Sequence, residues 1–92
     1  MIHIEGPIMD ILPEKSGVTQ TGGEWREREV VINHVTSLQY PKNIAVAFKG
    51  AQVDVVNQLG VGDAVGCDIS IDAREWKGRW FNSVTGYNLR KL

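Results

Sequence analysis

A single cysteine, Cys67, stands among the 92 residues. It excludes an internal disulfide and a thiolate zinc cluster, and it is read as a small buried hydrophobe. Histidine is nearly as scarce. His3 and His34 lie far apart and are read as strand residues without chemistry. Asp54, Asp63, Asp68 and Asp72 occur singly, so neither a catalytic carboxylate pair nor a metal site is expected. No apolar run approaches the ~20 residues that span a bilayer. The opening MIHIEGPIMDILPEK lacks the basic region and long apolar stretch of a signal peptide, which points to a cytoplasmic protein. No nucleophile–base pair stands out, and SGVTQTGG lacks the lysine-bearing spacing of a phosphate loop. The chain is therefore read as not an enzyme and without a cofactor. An excess of positive charge is missing too. The net charge of −1 counts against a strongly basic nucleic-acid binder, because phosphate neutralisation normally supplies much of the affinity. A local basic groove on an otherwise acidic surface stays compatible with it.

What is present is the composition of a folded domain, 42% hydrophobic and 23% charged. One domain is expected over residues 1–92, with a small core, since a chain of this size buries only roughly 60–65% of its unfolded surface. Ile2 to Leu12 alternates with period two, interrupted at Gly6-Pro7 by a bend or bulge that puts Pro7 on an unpaired edge. Residues 13–24, PEKSGVTQTGGE, predict a long polar loop. Trp25 to Val35 predicts the second strand. TSLQYPK predicts a turn in which Pro41 keeps Tyr40 extended. Asn43 to Lys49 predicts the third strand. Ala51 to Leu59 carries Val53 and Val56 at helical spacing and predicts a short helix capped by Gly60.

From Ala64 to Glu75, Val65, Cys67, Ile69, Ile71 and Ala73 share one parity while Asp68, Ser70, Asp72 and Arg74 share the other, which predicts a half-buried strand. Lys77-Gly78 predicts a tight hairpin connection, and Trp80 to Leu89 the fifth strand before a basic Arg90-Lys91-Leu92 end. Three strands, a short helix and two strands give an all-β fold, a five-stranded Greek-key OB barrel with a helix between strands three and four. An SH3-like barrel competes less well, because it rarely carries a helix there.

The second half of the chain resembles bacterial single-stranded DNA-binding proteins. The matching pieces are Val46-Ala47-Phe48, the segment Val53 to Leu59, Gly62-Asp63 and Arg74-Glu75-Trp76. The whole chain is more specifically similar to a small uncharacterised family of Bacteroidetes proteins. That similarity rests on Leu12-Pro13-Glu14 with Gly17, on Trp25, on Tyr40-Pro41-Lys42 and on Gly78-Arg79-Trp80. The first resemblance implies single-stranded nucleic-acid binding, DNA or RNA, an accessory role in replication or repair, and assembly as a homo-dimer or tetramer. It also implies that Phe48 stacks on bases. Where the DNA-binding proteins place an aromatic near the start of strand three, this chain has Lys42.

Binding a single strand requires flat aromatic surfaces, since stacking is worth about 1–3 kcal/mol per base and accepts any base, together with cations along the backbone path. In an OB barrel that path crosses strands two and three between the first-to-second and fourth-to-fifth loops. The candidates there are Trp25, Trp76 and Trp80 with Lys15, Arg26, Arg28, Lys42, Lys77 and Arg79, six of the ten cations. Each has a blander alternative. Trp80 and Phe81 are strand neighbours on opposite faces, so one of them is expected to fasten the hairpin to the core. Trp76 either faces a ligand or packs on the barrel, and Trp25 is evenly balanced. Phe48 shares a parity with Ile44 and Val46 and could be core instead. In Arg26-Glu27-Arg28-Glu29 the arginines share one face and the glutamates the other, forming either a solvated strand end or one wall of the groove. The competing function is a protein-interaction or self-assembly module that uses the same aromatic face without nucleic acid.

Overall fold

A computed structural model describes residues 1–35 and 37–92. Thr36, the first residue of the expected TSLQYPK turn, lies outside them. Six strands and one helix follow in the order β1 (Ile2–Ile11), β2 (Lys15–Val18), β3 (Glu24–Val35), β4 (Lys42–Lys49), α1 (Gln52–Val56), β5 (Ala64–Trp76) and β6 (Arg79–Lys91). The sheet order is β1-β5-β6-β4-β3-β2, and a β1–β3 pairing closes it into a barrel. All pairs are antiparallel except β4 with β6, which meet in parallel at Ala47 and Thr85. This is the OB-fold, with the helix between the third and fourth barrel strands.

β1 is the closing stave. Ile2 to Pro7 pair with β5, and Ile8 to Ile11 pair with β3 across a bulge. The expected irregularity therefore falls just after Gly6-Pro7, and Pro7 opposes Ala64 at the end of the β5 ladder rather than lying on an unpaired edge. The core is the inward set Ile4, Ile8, Val30, Ile32, Val46, Phe48, Val65, Cys67, Ile69 and Leu89, with Val53 and Val56 of α1 buried beside it. Each sits on one parity of its strand, as the pleat requires.

Two expectations need correction. The polar loop of residues 13–24 contains a strand, β2, whose residues Lys15, Ser16, Gly17 and Val18 oppose Glu27, Arg26, Trp25 and Glu24. The helix is shorter than the valine spacing suggested. It spans Gln52–Val56 and is capped at Asn57, and Leu59 N–H donates to the Val56 carbonyl in a tighter turn. Three β-branched valines in five residues disfavour a longer helix. The helix is tied to the barrel by polar contacts, including Leu89 N–H donating to Gln52 Oε1 at 3.0 Å.

β5 and β6 each run 13 residues, farther than their neighbours accompany them. β1 leaves β5 at Ile69, and β4 pairs with β6 only at Thr85. Residues 70–84 therefore form a two-stranded arm beyond the barrel, closed at Lys77-Gly78 with both residues at positive φ (51° and 79°). This is the mirror-image turn that matches strand twist.

Candidate nucleic-acid interface

On β3 the even residues Val30 and Ile32 point inward, so Arg26 and Arg28 point inward with them and Glu27 and Glu29 point out. Arg28 closes the end of the barrel. Its Nε donates to the Leu12 carbonyl and its Nη1 to Asn57 Oδ1, both at 2.7 Å. Arg26 bridges Glu14 of the β1–β2 connection, at 3.4 Å, and Asp54 of α1, at 3.0 Å. The hydrogen bond to Glu14, then that to Asp54, holds its guanidinium above its ordinary pKa. Arg28's charge is spent on the fold, whereas Arg26, although held in two ion pairs, also lines the depression beside Trp25.

Phe48 is fully buried and is no platform for a base. Its ring lies over Gly86 of β6, where a Cβ would stand 2.6 Å from Cζ. The converse correction applies on the arm. Neither Trp80 nor Phe81 fastens the hairpin to the core, since they are 67% and 48% exposed.

The outer face of the sheet is continuous from β3 to β5. Lys15 and Glu27 are cross-strand partners, as are Glu27 and Lys49, Glu29 and Ala47, Ala47 and Thr85, and Thr85 and Ser70. Directly opposed residues share a face, so this face also carries Trp25 at one end. At the other end it carries the pairs Arg74–Phe81 and Trp76–Arg79 of the arm. Three depressions lie along it. One, of about 560 Å³, is lined by Trp25, Arg26, Glu27, Lys49 and Gly50. The next, of about 320 Å³, lies among Glu27, Glu29, Ala45, Ala47, Ser83 and Thr85. The third, of about 420 Å³, lies among Ser70, Asp72, Arg74, Ser83, Thr85 and Tyr87. All three include Lys49, so they form one furrow across the strands.

Of the expected residues, this face brings together Lys15, Trp25, Trp76 and Arg79, with Lys77 at the tip of the arm. Trp25 is 44% exposed and Trp76 is 66% exposed. Lys77 Nζ stands 5.5 Å from the Trp76 ring centre, and Arg79 Cζ stands 5.5 Å from that of Phe81. Each pair sets a cation over a flat ring. Trp80 projects from the opposite face of the arm, with Ile71, Ala73 and Val84. Lys42 opens β4 at the end away from Lys49 and lines none of the three depressions.

Sequence reasoning missed Lys49, Arg74, Phe81 and Tyr87 as members of this face. The signal for Phe81 was available, because it shares Arg79's parity. Among the described residues, no three His, Cys, Asp or Glu side chains cluster as metal ligands, and no helix is long and apolar enough to cross a membrane.

His3 lies outside this face's furrow, in strand β1, with its ring between two carboxylates. Its Nε2 meets Glu5 Oε2 at 2.9 Å and its Nδ1 meets Asp68 Oδ1 at 3.1 Å. The hydrogen bonds to Glu5 and then Asp68 raise its pKa above 6.5. Asp68 also accepts from Asn88 Nδ2 at 3.0 Å, and the Asn88 and His3 bonds pull its carboxyl below the ordinary value.

The architecture defines an OB-fold domain with an aromatic, cation-flanked outer face. Residues 3–90 match the model of the family described as Domain of unknown function (DUF3127), and the chain belongs to that family. No curated protein matches its sequence. Among solved structures the chain is similar to the mitochondrial single-stranded DNA-binding protein Rim1 of S. cerevisiae. The TM-score is 0.66 at 10% identity, over 99% of this chain and 92% of that one.

Proposed function

We propose that the protein binds single-stranded nucleic acid along the outer furrow and the arm, without strong overall sequence preference. The observation that carries this is the exposed face of the arm, where Trp76 and Phe81 are each paired with a cation at 5.5 Å. Rings of this kind stack on any base, and the neighbouring ammonium or guanidinium group reaches the phosphate. The likeness to a single-stranded DNA-binding protein supports the same reading through the fold. Lys15, Lys49, Arg74, Lys77 and Arg79 are the cations on this face. If all five met phosphates, log affinity would fall against log salt with a slope of about −3.5, and any smaller number gives a shallower slope. The test is tryptophan fluorescence titrated with an unstructured oligonucleotide of mixed sequence at two salt concentrations. Saturable quenching that weakens with salt supports the proposal. No change at micromolar protein, with the fold intact, overturns it.

A second reading is favoured by the opposite face of the arm, where Ile71 and Trp80 continue the inward parity of β5 and β6 past the point at which the barrel ends. Ile71 is 53% and Trp80 67% exposed. Apolar residues at that position suit a protein surface, including a second copy of the chain. Mass in solution tests it: Trp80→Ser lowers the mass of an assembly held by this face and leaves a monomer unchanged.

A further inference from the structure

The middle of the furrow is an unusual floor for a phosphate chain. Glu27 and Glu29 stand on it from β3, Ala45 and Ala47 from β4 form a low base, and the Ser83 and Thr85 hydroxyls border it from β6. Among the described residues, neither glutamate makes an ion pair or a side-chain hydrogen bond, and both are part-buried. Two free carboxylates repel a backbone phosphate at this point and accept hydrogen bonds only. The depression of about 320 Å³ is at the small end of the roughly 300–1,000 Å³ range of ligand sites.

We infer that this depression is a base subsite that selects bases bearing amino donors, guanine above all, against thymine and uracil. The inference rests on the nucleic-acid reading proposed above. Guanine presents N1–H and the N2 amino group side by side, which fits a carboxylate through two parallel hydrogen bonds. Cytosine and adenine offer one amino group each. Thymine and uracil present a lone N3–H between two carbonyl oxygens, and those oxygens face the carboxylates unfavourably. The small alanines leave room for a base turned edge-first into the furrow. Lys49, in register with Glu27 and itself lining this depression, is placed to hold the phosphate of the nucleotide whose base enters it. Stacking on Trp25, Trp76 and Phe81 is sequence-tolerant, and this one subsite adds a preference on top of it.

The experiment compares two oligonucleotides of about 12 nucleotides, within the roughly 4–16 nucleotide span of an OB-fold site. One is oligothymidine and the other alternates guanine with thymine. The expected result is about tenfold tighter binding of the guanine-bearing strand, the scale of one good bidentate contact. In E27Q/E29Q the preference collapses, while affinity for oligothymidine rises because repulsion is removed. These side chains lie on the outer face, and the denaturation midpoint of the variant shows whether the fold is kept. Should the double variant unfold, E29Q alone carries the comparison. Equal affinity for both strands overturns the subsite while leaving nucleic-acid binding intact. A rise in affinity for both strands by the same factor in the variant also overturns it, since the carboxylates then act only as general repulsion. No binding of either strand, or of the mixed sequence, overturns both readings.

Discussion

Phe48 of β4 fills the space that a side chain on Gly86 of β6 would occupy, with Cζ 2.6 Å from the position of that missing Cβ. An aromatic ring laid across a glycine on a neighbouring strand buries the ring and pins the register of the two strands. This relationship decides that Phe48 belongs to the core. A Gly86→Ala substitution forces the ring aside in a packed interior, where overpacking costs about 1–3 kcal/mol. The midpoint of urea denaturation is expected to fall accordingly, with little change in slope.

Phe48→Ala and Trp76→Ala separate the structural aromatic from the exposed ones. The first removes a fully buried ring and is expected to cost about 3–5 kcal/mol of stability. The second leaves the denaturation midpoint within about 0.5 kcal/mol of the original. It weakens oligonucleotide binding by about tenfold, the low-to-middle range for one stacked base. If Trp76→Ala binds as the parent does, the arm is not the contact surface.

Arg28→Ala leaves the Leu12 carbonyl and the Asn57 amide without their charged donor in a partly buried site. Hydrogen bonds to charged groups contribute about 1.5–3 kcal/mol, and a loss of that order is expected in equilibrium unfolding. Binding per folded molecule should not change, because the guanidinium faces inward. A selective loss of binding would return Arg28 to the groove.

The ring of His3 between Glu5 and Asp68 makes stability depend on pH. Its folded pKa is raised above 6.5, so its contribution is complete below 6.5 and is lost as pH rises through the folded value. Asp68 behaves in the opposite sense. Its folded pKa is lowered below 3.8, so its contribution is present above 3.8 and is lost as pH falls through the folded value. Thermal midpoints are expected to decline from mildly acidic to alkaline pH, and His3→Gln should flatten that decline. The side chains are exposed, so the effect is small and shrinks with added salt.

Cys67 is 1% exposed, and burial, then the Asp68 charge, pushes its thiol up to about 11. A thiol-specific disulfide reagent at mildly alkaline pH should react slowly with the native protein and rapidly in denaturant. Fast reaction in the native state would mean that β1 opens readily from β5.

Much of the barrel is legible from alternation alone. Val65, Cys67 and Ile69 declare an inward face, and Lys77-Gly78 declares the hairpin. The inward arginines were legible too, since Arg26 and Arg28 share the parity of Val30 and Ile32. Register turns Arg28 into the fold, while Arg26 at the same parity stays partly exposed at the barrel's end. β2 was not legible, because Lys15-Ser16-Gly17-Val18 has the composition of a loop. Its strand character comes from pairing with β3, where the Trp25 indole covers Gly17. The length of the arm was hidden for a similar reason. Ile71 and Ala73 continue the apolar parity of β5, but no strand follows beyond Ile69 to cover them. Neither the core list nor the arm can be read until it is known where β1 stops.

The closing role of β1 also sets how the molecule must come together in time. The stave that seals the barrel is made before the strands it closes against, and its partner residues Ala64 to Ile69 come about 60 residues later. On a ribosome β1 waits, unpaired on that side, until Ala64 to Ile69 have emerged. Pairings this distant in sequence make folding slow, on the scale of milliseconds to seconds for comparable β-barrels. Circular permutation that joins β6 to β1 and opens the chain before β5 would bring β1 closer in sequence to β5 while leaving the finished barrel the same.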